Sequence, residues 1–187
     1  MGHEHAGVRA RELDRRICNV NPPMPRDVAD LYAQLKGALL AAVRSEHLLT
    51  PWHQVEALLK RTPNSSARGT AEGIVGGRKD FRRESDDGWF KRDDGGLFNF
   101  FVSVKAGTPM WLLAYNFELR LPKGAGAEFV RFDLNPPWET DRDEMRCHLH
   151  PGDEGLRAPS PLMSPLELLE QLLYGLRLPR RRRSSTP

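Results

Sequence analysis

The chain has 187 residues, with 28 Lys+Arg against 25 Asp+Glu and a formal net charge of +3. That length suits one domain with its own core, and 39% hydrophobic with 28% charged residues excludes a disordered chain. No apolar run reaches the roughly 18 residues of a membrane span, Met1–His5 opens no signal peptide, and two cysteines make no disulfide framework, so a reduced, cytoplasmic location is expected.

Residues 1–25 read as an extension. A short helix over 7–18, anchored by Val8, Leu13 and Ile17, would end at the break Asn21-Pro22-Pro23-Met24-Pro25. A single α+β domain then spans 26–178. Residues 26–48 predict a helix, because Val28, Leu31, Leu35, Leu39 and Val43 recur at three- and four-residue steps. Thr50-Pro51 is an N-cap with proline at the first helical position, and predicts a second helix over 51–61. Its inward residues would be Trp52, Val55, Leu58 and Leu59. The two make an N-terminal helical hairpin.

Residues 62–96 are rich in loop residues and basic side chains. Short strands are expected at 73–76 and 89–92. Gly73-Ile74-Val75-Gly76-Gly77 lacks the P-loop spacing and its Lys-Ser/Thr, and reads as a turn rather than a phosphate cradle. Next come three aromatic and β-branched segments, 97–105, 111–121 and 127–135, joined by short Gly/Pro connections. They predict an antiparallel meander, with a fourth strand over 145–150. Ser164-Pro165-Leu166-Glu167 is a capping box that starts a C-terminal helix covering the sheet. The arginine-rich tail 179–187 is expected to be disordered.

Strand parity separates core from site. Tyr115, Phe117 and Leu119 go one way; Asn116, Glu118 and Arg120 go the other. Arg131 and Asp133 alternate with Val130, Phe132 and Leu134, although Phe129 interrupts the pattern. His148 and His150 share a face, opposite Cys147 and Leu149. The polar face thus gathers Asn116, Glu118, Arg120, Arg131, Asp133, His148 and His150. Charges that alternate on antiparallel strands are most often a solvated face of cross-strand pairs, and Cys147 reads as a small buried apolar group. Trp89 and Trp138 lie in polar loops and suit a partner surface or base stacking.

Three chemistries compete for this face. His148 or His150 acts as general acid or base, with Arg131 or Arg120 on a phosphate and Asp133 and Glu118 completing the catalytic group, which suits metal-free RNA cleavage. Alternatively His148, His150 and Asp133 or Asp153 hold a divalent metal, since two His and a carboxylate suit Zn, Mn or Fe. Otherwise the face only docks a partner.

The order of segments also resembles a known family. A strand over 113–121 precedes Phe129-Val130-Arg131-Phe132-Asp133-Leu134-Asn135, then a polar loop, His148-Leu149-His150, and a helix opening Ser164-Pro165-Leu166-Glu167. Residues 109–178 in this way resemble the TumE-type proteins of bacterial toxin–antitoxin pairs. Here Leu134 separates Asp133 from Asn135, and the loop before the histidines is long and acidic. The resemblance implies a toxin-like or accessory protein of a bacterial toxin–antitoxin or defence system, with a protein partner and the polar sheet face as its site. A non-catalytic subunit of a larger nucleic-acid-associated complex is the alternative.

Charge distribution bears on the RNA reading. Without residues 177–187 and their five Arg, 23 basic and 25 acidic residues remain. Residues 133–170 hold nine acids against three Arg. Contact with RNA or DNA is therefore expected away from His148, at Arg78, Lys79, Arg82 and Arg83 and at Arg180, Arg181, Arg182 and Arg183.

Overall fold

The computed structural model describes residues 22–63, 71–78, 88–138 and 145–177. The helix expected over 7–18 and the arginine-rich tail lie outside them. Helix α1 (Val28–Arg44) starts where the Asp27 carboxylate accepts from the Asp30 amide at 2.8 Å. It buries Val28, Leu31, Leu35, Leu39 and Ala42 along one stripe.

Helix α2 (Trp52–Leu58) is shorter than the sequence suggests. Leu59 turns extended, and Leu59–Pro63 is strand β1 rather than a continued helix. The Tyr32 hydroxyl of α1 donates to the Leu59 carbonyl at 3.1 Å, and Lys36 reaches Glu56 at 2.7 Å, so the two helices do form a pair. Trp52 corrects the expectation of an inward residue: it is 60% exposed. At the first turn its side chain points back past the helix start, away from the stripe. Thr50 does not cap this helix; its Oγ1 accepts from the Lys91 amide at 2.7 Å.

The remaining strands are β2 (Ala71–Gly76), β3 (Phe90–Lys91), β4 (Leu97–Lys105), β5 (Trp111–Arg120), β6 (Phe129–Leu134), β7 (Cys147–His150) and β8 (Ala158–Pro159). They form one antiparallel sheet in the order β1-β2-β4-β5-β6-β7-β8, with β3 pairing the start of β4. The predicted meander is therefore present and is extended at both ends. The strand expected at 73–76 is part of β2, so the segment Gly73–Gly77, also read as a turn, lies mostly inside a strand. Gly76 is required there by packing: an added Cβ would sit 2.2 Å from the Phe100 ring.

Helix α3 (Pro165–Glu170) opens with the predicted capping box, Ser164 accepting from the Glu167 amide while Glu167 accepts from the Ser164 amide. It runs into a π-helical turn over Gln171–Gly175. Leu168, Leu169, Leu172 and Leu173 of this segment cluster with Leu31, Leu35 and Leu39 and with Phe98, Phe100, Phe117 and Leu119 of the sheet. Both α1 and α3 thus cover the apolar sheet face, not the C-terminal helix alone. Arg92 ties the layers together. It is fully buried, pairs with Asp94, and donates to the carbonyls of Leu172 at 2.5 Å and Leu176 at 2.6 Å. A residue read as part of a basic loop is a structural clamp. Among the described residues no helix is long and apolar enough to cross a membrane.

Candidate metal centre

Register builds the site. Asn116 pairs with Asp133, and Asp133 with His148, so these three form one row across β5, β6 and β7. Two residues along, Asn99, Glu118, Arg131 and His150 form the next row on the same face. The polar side chains converge because the strand period is two and each connection keeps the parity.

This face is not solvated. Asn99, Glu118, Asp133, His148 and His150 are all buried, the two histidines at 2% and 1% exposure. Trp89 is also buried, with the Arg120 guanidinium 4.4 Å from its ring centre, and so is no free stacking surface. Trp138 is exposed. Glu118 lies beside Arg120, 3.8 Å from Oε1 to Nε, outside the histidine cluster.

Three ligand atoms of Asp133, His148 and His150 lie within 4.8 Å of one another. Asp133 Oδ2 is 3.6 Å from His148 Nε2 and 3.3 Å from His150 Nε2. His148 Nδ1 lies 2.9 Å from the Met145 carbonyl, and His150 Nδ1 lies 3.4 Å from that of Asp153. A carbonyl only accepts, so each Nδ1 donates there and each Nε2 is the ring nitrogen left to face Asp133. His150 Nε2 is buried and has no hydrogen bond: its 3.3 Å approach to the carboxylate lacks the geometry of one.

Burial pushes His148 below the ordinary imidazole value, and His150 and Arg157 add to this; Asp133 and the Met145 carbonyl oppose it without prevailing. The neutral form is the one that binds metal. Asp133 is held in turn, its Oδ1 by Asn116 Nδ2 at 2.5 Å and its Oδ2 by Arg131 Nε at 2.8 Å. Arg131 also reaches both oxygens of Glu154, at 2.9 and 2.7 Å. Burial works against its charge, but Asp133 and Glu154 outweigh this and hold the guanidinium above its usual value. Its observed partners are carboxylates, which opposes the expected role on a phosphate.

The structure therefore brings together His148, His150, Asp133 and Arg131 of the expected group and leaves Glu118 at its side. Arg78 is exposed, and its amide donates to the Gly88 carbonyl at 2.6 Å. Lys79, Arg82, Arg83 and Arg180–Arg183 lie outside the described residues. Cys147 is buried as expected, but it is disulfide-bonded, which removes the ground for expecting a reduced compartment. Cys18, the chain's other cysteine, lies outside the described residues. Asn116 was legible as a neighbour of Asp133; the carbonyls that orient the two imidazoles leave no mark on residue type.

Comparison with family models, curated proteins and solved structures finds no match to this chain.

Proposed function

We propose that this chain is a divalent-metal-binding protein, with one ion held by Asp133 Oδ2, His148 Nε2 and His150 Nε2. The observation that carries the reading is the convergence of three acceptors, one of them an unpartnered imidazole nitrogen at 1% exposure. Around a tetrahedral zinc with bonds of about 2.0–2.1 Å, ligand atoms stand about 3.3 Å apart. The separations of 3.3 and 3.6 Å from Oδ2 are close to that spacing, and all three ligand atoms lie within 4.8 Å of one another. Backbone carbonyls on both Nδ1 atoms supply the outer hydrogen bonds that metal-binding histidines ordinarily make. Zinc leads, because two imidazoles and one carboxylate suit a borderline cation; a fourth position is left for water or a small ligand.

The resemblance of residues 109–178 to TumE-type proteins supports a wider context, a toxin-like or accessory protein with a protein partner and this face as its working part.

The test is a stoichiometric titration. Chelator-stripped protein, in a His3→Ala/His5→Ala background that removes the other His-x-His pair, is titrated with Zn²⁺ against a chromogenic chelator. One tight equivalent is expected, weakened at least 100-fold by Asp133→Asn or His148→Ala. Equal binding by the variants would overturn the site.

A further inference from the structure

The carboxylate of Asp133 is not free to choose how it binds. Asn116 stands opposite it on β5, and Nδ2 donates to Oδ1 at 2.5 Å. Arg131, two residues back on β6, donates through Nε to Oδ2 at 2.8 Å and is itself braced on Glu154. Only Oδ2 faces the two imidazoles. Rotating the carboxylate to offer both oxygens would break the Asn116 bond in a buried place, where an unmade hydrogen bond is costly.

Resting on the metal reading above, we infer that Asn116 is the specificity-determining residue of this centre. It holds Oδ1 away, so that Asp133 contributes one oxygen only. A site with two nitrogens and one oxygen then suits a four-coordinate ion. Manganese and magnesium, which prefer six ligands and more oxygen, are left short of donors. Asn116 acts through Asp133 and so is a positioning residue, not a ligand.

The experiment replaces Asn116 by Leu, which keeps the size and removes the donor, and by Ser, which keeps a short donor. Cobalt reports geometry, since four-coordinate Co²⁺ absorbs visible light far more strongly than six-coordinate Co²⁺. Wild-type protein loaded with Co²⁺ is expected to show the intense bands. Asn116→Leu should lose most of that intensity and bind Zn²⁺ roughly 10–100-fold more weakly. Its preference for Zn²⁺ over Mn²⁺ should narrow, with Asn116→Ser between the two. An unchanged spectrum and unchanged preference, in a variant whose metal-free melting matches wild type, would overturn the role of Asn116. If Asn116→Leu does not fold, the Asn116→Ser spectrum decides in the same way. Failure of the wild type to bind any ion is a different result, and it removes the metal reading itself.

Discussion

Asp133 Oδ2 lies 3.3 Å from His150 Nε2, and no hydrogen bond joins them. In the metal-free fold a buried ring nitrogen faces a carboxylate without a hydrogen bond, and the sheet holds both in place. Removing it takes away only the long 3.4 Å contact of Nδ1 with the Asp153 carbonyl, a smaller loss than for a fully satisfied group. His150→Leu is expected to leave the metal-free melting temperature unchanged or higher, and to abolish its rise with zinc. In the wild type, zinc at about 100 times the dissociation constant should add about 2.7 kcal/mol. A loss of more than about 2 kcal/mol in metal-free His150→Leu would mean that the imidazole was already satisfied.

Arg92 is the contrasting case. It is buried at 0% exposure, yet it has Asp94 and the carbonyls of Leu172 and Leu176 as partners. Arg92→Met strands a carboxylate and two carbonyls together. Breaking a buried pair on one side typically costs about 3–5 kcal/mol, and denaturant unfolding should show a loss of that size. A change below about 1 kcal/mol would mean that water replaces the guanidinium.

Tyr115 carries a pH prediction. Burial pushes its phenol up to about 12, with Asp133 adding and the Met163 backbone opposing. A folded value above the unfolded one stabilises the fold below the unfolded value of 10.0, and that stability is lost as pH rises through 12. In an ultraviolet titration of the chain's three tyrosines, one should ionise only near pH 12 or with unfolding. Three equivalent transitions near pH 10 would contradict this burial.

Parity and short connections were enough to place Asn116, Asp133 and His148 on one face, because an antiparallel meander converts sequence spacing into register. The same spacing says nothing of what covers that face, so Glu118, Arg120 and Arg131 read as solvated charges, yet Glu118 is buried. Leu58 and Leu59 continue a helical stripe, but Leu59 pairs with Gly76 on β2, a long-range partner that no local pattern shows. Arg92, only one of the basic side chains of 62–96 in the sequence, has its partners in the last helix about eighty residues away.

Metal-free RNA cleavage makes the opposite demands on the same residues. It needs one imidazole charged, one neutral, and a phosphodiester within reach of both. Here burial disfavours the charged form of His148. Arg131, the cation meant for the phosphate, is engaged with Asp133 and Glu154. Labelled tRNA and single-stranded RNA incubated with the protein and EDTA are therefore expected to stay intact. EDTA-resistant cleavage that His148→Ala abolishes would replace the metal centre with acid–base catalysis. Cleavage that EDTA stops and Zn²⁺ or Mn²⁺ restores would instead place hydrolysis at the fourth position of the bound ion.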